Sequence, residues 1–393
     1  MQRHYFLDWV RIGAFALLVL YHVGMYYVTW DWHVKSPFAG PALEPLMLAS
    51  APWRLSLLFF VSGVATAFLL GKGADGFLRR RSWRLLVPLV FGMLVVVPPQ
   101  SYYEVVETLP GGDHDGYLAF WGRYLRGDDG FCRGGECPDM PTWNHLWFVA
   151  YLWVYTVVLC GLRWTLRGAL DRGASHVVRA LSGAGLLLWP AAALIAARIA
   201  LVGRFESTHA LVDDWYNHAQ YLPIFLMGYA VARAQAVWTR FAALRWPAAM
   251  VSVACYAFTA WYFAAFADGA PPPTDALRLL QRAAWGAFQW SAIVAIVGFA
   301  ARIAPGDGPA RRYLTEAVFP VYILHQTLII VLAERLEPLG LRPAVEGPLL
   351  VLGTLALCVA GFELVRRVDV LRPLFGLGPR ARSTVAARAP EPT

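Results

Sequence analysis

Runs of about 20 predominantly apolar residues, the length a helix needs to cross a bilayer's hydrocarbon core, recur in this chain from Phe6 to Arg367. Without water in that core, backbone polar groups must be paired inside the segment, so such runs predict helices rather than open strands. The expected fold is an all-α polytopic membrane protein with about ten transmembrane helices, near residues 6–28, 54–71, 84–101, 144–162, 181–202, 219–236, 247–267, 281–301, 313–333 and 346–366. No stretch between them is long enough for a separate soluble domain. A single membrane domain is expected over 1–372, and the Pro-, Arg- and Ala-rich residues 373–393 have the composition of a disordered tail. At 58% hydrophobic against 15% charged residues, the composition excludes an ordinary soluble protein.

The net charge of +8 raises the question of nucleic acid, but the basic residues sit in short clusters between apolar runs and form no stripe interleaved with aromatics. They read as topology. The N-terminus and alternate loops hold 22 of the 34 Lys and Arg residues and the other loops ten, which predicts that both termini are cytoplasmic. The longest outside segment, about 102–143, carries eight acidic residues and three arginines and is rich in glycine, so a folded loop or lid is expected there. Within it Cys132 and Cys137 are placed to bridge in an oxidising compartment. The other cysteines (Cys160, Cys255 and Cys358) are scattered through apolar runs; there is no zinc framework, and neither a metal site nor a permanently bound cofactor is expected.

Ionisable residues inside spans are costly and mark function by default. In the first span Arg11 and His22 are eleven residues apart, about 1100° of rotation, which returns to within ~20° of the same direction; Asp8 shares that face. Arg11 and His22 are then ~16 Å apart along the axis, one near the cytoplasmic end and one toward the outside. An interfacial Asp8–Arg11 pair and a satisfied core histidine are the structural alternatives. Tyr322 and His325 fall near the middle of the ninth span at i and i+3, Asn144 and His145 open the fourth span, Glu363 lies near the inner end of the tenth, and Arg198 is free to snorkel near the outer end of the fifth. On the cytoplasmic side Arg79, Arg80, Arg81 and Arg84 suit either an anionic leaflet or a phosphate clamp, because the planar guanidinium matches phosphate oxygens.

These residues resemble the acyltransferase-3 family of membrane O-acyltransferases, and within it the glucan biosynthesis protein C group, which adds succinyl groups to periplasmic glucans. Arg11 and His22 match the family's Arg-X10-His motif in the first span. Trp32-His33-Val34-Lys35-Ser36 is similar to the group's Trp-His-Val-x-Ser segment. Phe59-Phe60-Val61-Ser62-Gly63 resembles its second-span motif with one residue fewer, Arg81-x-x-Arg84 its cytoplasmic Arg-x-x-Arg, His145-Leu146-Trp147-Phe148 its His-Leu-Trp-Phe, and Tyr322-Ile323-Leu324-His325 its late Tyr-x-x-His. Two features depart from the family. Ala150-Tyr151-Leu152 stands where many members carry an acid, and no fused hydrolase-like domain is expected after the tenth span, leaving the acceptor to the membrane domain or to a separate glycan-synthesis partner.

The resemblance implies transfer of a short acyl group, succinyl or acetyl, from cytoplasmic acyl-CoA to hydroxyls of an extracytoplasmic glycan, at a bacterial inner membrane. His22, Arg11 and His325 would be catalytic, with His22 as general base and His325 orienting it or polarising the thioester. Arg80, Arg81, Arg84 and Asp8 would hold acyl-CoA, and His33, Asn144, His145, Trp147 and Tyr322 the acceptor. The competing expectation is a transporter or flippase that passes an anionic solute or lipid-linked sugar along the same polar stripe. A purely structural or sensory protein leaves Arg11 and His22 on one face without a reason.

Overall fold

The structure, a computed structural model, describes residues 4–71, 75–108, 116–131, 140–267, 269–303 and 306–380. The regular structure among those residues is helical, with no strand. In chain order the helices are α1 (Tyr5–Tyr27), the short α2 (Glu44–Leu48), α3 (Arg54–Leu70), α4 (Phe77–Phe91), α5 (Pro98–Thr108), α6 (Tyr117–Arg126), α7 (Trp147–Ala180), α8 (Gly185–Leu201), α9 (Trp215–Val231), α10 (Gln235–Ala265), α11 (Asp275–Ile303), α12 (Pro309–Leu336), α13 (Pro343–Arg367) and the single-turn α14 (Leu371–Leu374).

Every expected span coincides with one of these helices, the third with α4 and α5 together. The number that qualifies as membrane-crossing is smaller than ten: among the described residues seven helices are long and apolar enough, or eight if the pair Gly168–Ala180 and Gly185–Leu201, bent by 111°, is one span. The difference has a physical cause. At 17 residues each, α3 and α9 reach only about 26 Å, short of a ~30 Å hydrocarbon core, and α9 is interrupted by Asn217, His218 and Gln220. The two short helices pack against each other through glycine. A Cβ on Gly63 would stand 2.0 Å from the Phe225 carbonyl oxygen, and one on Gly228 would stand 2.2 Å from that of Phe60, so the helices approach backbone to backbone as small residues allow in membranes. Gly63 of the Phe-Phe-Val-Ser-Gly motif is therefore a packing residue.

Outward faces are apolar. Trp246, Met250 and Val253 on α10 and Leu352, Leu355 and Val359 on α13 are exposed, as expected where lipid is the solvent. By contrast α7, at 34 residues, measures about 51 Å, so its Arg- and Asp-bearing second half extends past the hydrocarbon.

The third span is broken where it matters most. After α4 the backbone widens into a π-turn at Gly92–Val96, and Pro98 and Pro99 then open α5. Proline has no N–H to return to the carbonyl four residues back, which leaves the Leu94 oxygen for Trp121 Nε1 at 2.8 Å. The Met93 oxygen accepts from the Tyr124 hydroxyl at 2.9 Å and the Val96 oxygen from Thr327 Oγ1 at 2.7 Å. Pi-type bulges of this kind concentrate at functional sites, and this one carries Gln100 and Glu104 on its outer side.

The chain stays packed beyond residue 372: Phe375 and Leu377 are buried, and Arg84 Nε donates to the Gly376 oxygen at 2.9 Å. The tail from 381 onward and the Cys132/Cys137 pair lie outside the described residues.

The starts of α1, α4 and α12 and the ends of α3 and α9 gather at one end of the bundle, and loop charge predicts that end to be cytoplasmic. In a background lacking native cysteines, an impermeant thiol reagent applied to intact cells should label Glu206→Cys and spare Asp75→Cys. The reverse pattern inverts the topology.

Candidate active site

The centre of the bundle holds two stacked histidines from helices distant in sequence. His22 on α1 and His325 on α12 have ring centroids 4.9 Å apart and planes 11° apart, and His22 Nδ1 lies 2.7 Å from His325 Nε2. The other nitrogen of His325 is 2.7 Å from the Tyr322 carbonyl oxygen. A carbonyl only accepts, so His325 Nδ1 carries the proton and its Nε2, in the neutral ring, is a lone pair. That lone pair accepts from His22 Nδ1–H. The assignment follows from the network and leaves His22 Nε2 unprotonated, the state a general base needs.

Around this pair the walls are polar groups tied to backbone. His145 is buried, its ring 5.2 Å from that of His325 at 89°; its Nε2 donates to the Ile323 oxygen at 3.1 Å and its Nδ1 accepts from Gln100 Nε2 at 3.3 Å. The Tyr322 hydroxyl donates to the His145 backbone oxygen. The resemblance places both residues against the acceptor, His145 at the outer mouth. In the structure their polar atoms tie the turn before α7 to α12, because in an apolar interior such atoms pair with whatever carbonyl is near. Trp147, also expected at the mouth, is buried against Tyr151 and Tyr221 and lies 4.1 Å from the His209 ring.

On the side away from the arginines, a hydrogen-bonded basin opens above the histidines. Gln326 Nε2 donates to His33 Nε2 at 2.9 Å and to Gln100 Oε1 at 3.0 Å. His33 therefore holds its proton on Nδ1, which is 2.6 Å from Glu104 Oε2. Asn144 Nδ2 donates to Gln100 Oε1 at 3.1 Å, and Gln100 Nε2 to Thr327 Oγ1 at 2.7 Å. Asn144 holds φ 38°, in the left-handed region that asparagine tolerates. His33 and Asn144 are thus brought into one basin through Gln100 and Gln326. The only sequence sign of these two glutamines is their polarity within apolar runs, and Glu104 shows there only as one of the outside acids.

On the other side is a cavity of about 740 Å³. Arg11, Arg81, Arg84, Arg233 and Arg312 line its end near the helix termini, while Phe15, Leu58, Val61, Phe148 and Phe319 line it toward the centre. Phe15 and Phe319 pack on Tyr322 with centroids 5.4 and 6.1 Å away, so the apolar end stops one turn short of His325. Of the expected donor residues, Arg80 does not line this cavity and Asp8 lines it only at its edge. Arg80 is exposed, donates to the Asp75 carbonyl oxygen at 2.7 Å and is absent from the lining, because one residue along a helix turns the side chain by about 100°. Asp8 borders the cavity, but its carboxylate is ion-paired to Arg311, which also holds Asp307 at 2.6 Å. In the sequence Arg233 and Arg312 count only as topology charges. Glu363 and Arg198 sit apart from the site: Glu363 accepts from Tyr313 at 2.9 Å and Arg366 at 3.0 Å, and Arg198 donates to Tyr216 at 2.6 Å.

Fold and site together define a multi-pass membrane-embedded protein with a paired-histidine centre between a cationic cavity and a polar basin. A family model described as an acyltransferase domain, Acyl_transf_3, matches residues 4–363. The chain belongs to that family and is a membrane acyltransferase. No curated protein and no solved structure matches it.

If the unprotonated His22 nitrogen is the base, His22→Gln keeps size and hydrogen bonding but should lower acyl-transfer turnover by about 10²–10⁴-fold, while expression and folding survive. Turnover per folded molecule, counted as monodisperse protein, is the measurement; a near-normal value makes the pair a packing element.

Proposed function

We propose that this protein moves a short acyl group from cytoplasmic acyl-CoA to hydroxyls of an extracytoplasmic glycan at a bacterial inner membrane, with periplasmic glucan as the favoured acceptor. The observation that carries this reading is the order of parts along one line: a cavity edged by arginines, then the His22–His325 pair, then the basin of His33, Glu104, Gln326, Gln100 and Asn144. Donor and acceptor lie on opposite faces of the membrane, and only a line of this kind brings them together without moving either across.

CoA is polyanionic at one end and carries its acyl group on a long, thin arm. Arg81, Arg84 and Arg11, joined by Arg233, offer charge-assisted hydrogen bonds to its phosphates, while Arg312 at the cavity's edge is paired to Asp307 at 2.7 Å. The apolar half of the cavity suits the pantetheine arm, which would thread between α1, α3 and α12 toward the histidines. A sugar hydroxyl held in the basin by His33, Asn144 and Gln326 then gives its proton to His22 Nε2 as its oxygen attacks the thioester carbon. His325 holds the His22 ring in the reactive tautomer and shares the charge of the imidazolium that forms. CoA thiolate leaves and takes that proton. Direct transfer places hydroxyl and thioester together and needs no acyl-enzyme.

Mass spectrometry of envelope glycans from cells with and without the gene tests the reaction. An added acyl mass that depends on the gene is expected; unchanged glycan masses together with gene-dependent movement of an unmodified solute would establish a transporter instead. A second test concerns the donor face. Arg81→Gln should weaken CoA binding by about tenfold or more, the worth of one charge-assisted hydrogen bond, whereas Arg80→Gln, which points away, should leave binding nearly unchanged in calorimetry on purified protein.

A further inference from the structure

We infer that Arg54 is a catalytic residue whose guanidinium receives the negative charge that develops on the carbonyl oxygen of the acyl group during transfer. The inference rests on the acyl-transfer reading above, and Arg54 belongs to none of the motifs that suggested it. Sequence alone places Arg54 at the edge of the second span, where it counts as an outside loop charge.

The structure puts it elsewhere. Arg54 is the first residue of α3 and only 6% exposed. Its guanidinium carbon lies 3.3 Å above the centroid of the Tyr21 ring, the residue before His22, and it is within electrostatic reach of His22 itself. Its Nε and Nη1 atoms have no hydrogen-bond partner among the described residues. The groups that interact with its charge are phenols rather than carboxylates: Tyr21, which also takes a hydrogen bond from the guanidinium, and Tyr221. Arg311 shows what a structural arginine in this bundle looks like: it is paired to both Asp8 and Asp307. A buried guanidinium with two unpaired nitrogens is costly to maintain; stacking on Tyr21 offsets part of that cost and an arriving anion would offset the rest.

The helices say where that anion would be. Leu58, one turn along α3 from Arg54, and Phe15, two turns along α1 from His22, both line the apolar end of the cavity. Extending that line by one or two turns brings the acyl end of a bound donor between Arg54 and His22. As the hydroxyl oxygen bonds to the thioester carbon, its proton passes to His22 Nε2 and the carbonyl π pair moves onto oxygen. The oxyanion faces the free N–H groups of Arg54. When it collapses, the carbonyl re-forms, the carbon–sulfur bond breaks, and the departing thiolate takes the proton from His22. A preorganised cation in a dry site stabilises that intermediate far more than it would in water.

The test uses the full-length protein in proteoliposomes with a gluco-oligosaccharide acceptor and two donors, acetyl-CoA and succinyl-CoA, which differ by a terminal carboxylate. CoA binding to each preparation counts the folded molecules. Arg54→Gln should lower kcat by about 10²–10³-fold with both donors, the typical effect of losing an oxyanion donor, with KM little changed. Arg54→Lys, the variant more certain to fold, keeps the cation without the fork and should fall between wild type and Arg54→Gln. Unchanged kcat per CoA-binding molecule would overturn the inference. So would a loss confined to KM for succinyl-CoA, which would make Arg54 a reader of the acyl chain's own carboxylate. Wild-type protein that releases CoA from neither donor would instead count against the acyl-transfer reading as a whole.

Discussion

Inside a helical membrane bundle a polar side chain has no solvent to fall back on, and the arrangement of this protein follows from that constraint. The His22–His325 hydrogen bond joins the first and ninth expected spans because each ring needs the other. His145, Gln100, Gln326, Asn144 and Thr327 close into one network for the same reason. Networks of this kind favour a single arrangement of helices, since breaking one leaves buried polar groups unpaired. Precision at the centre of the bundle is thus a consequence of solvation.

The same constraint separates two kinds of arginine. Where a guanidinium has a local carboxylate, as Arg311 does with Asp8 and Asp307, it is part of the scaffold. Where it lines a cavity, as Arg81 and Arg84 do, its charge is available to a ligand. Asp8 pairs with Arg311 while bordering the cavity, and of the run Arg79 to Arg84 only Arg81 and Arg84 line it.

Apolar run length and Lys/Arg placement make the helices legible in the amino-acid sequence, and the eleven-residue interval between Arg11 and His22 places both on one face of α1. Pairing across the bundle is not legible there. Periodicity on one helix cannot say that His22 meets His325, or that the His145 ring turns inward to bond the Ile323 carbonyl. Arg54 escapes notice for a different reason: a charge at the end of a span looks like every other interfacial charge until the neighbouring helix covers it. The shortness of α3 and α9 is hidden too, because a composition window extends over flanking residues that the backbone does not keep helical.

The break between α4 and α5 has a consequence for the outside segment. Two carbonyls released there, those of Met93 and Leu94, are taken up by the phenol of Tyr124 and the indole of Trp121 on α6. The segment that follows the third span is therefore stitched into the membrane part by groups the backbone cannot do without. Such a segment is not an exchangeable cassette. Any replacement loop, whether arising by recombination or by engineering, would have to bring its own donors to the same two oxygens, so a segment that looks like a free connection in the chain is held as tightly as the helices it joins.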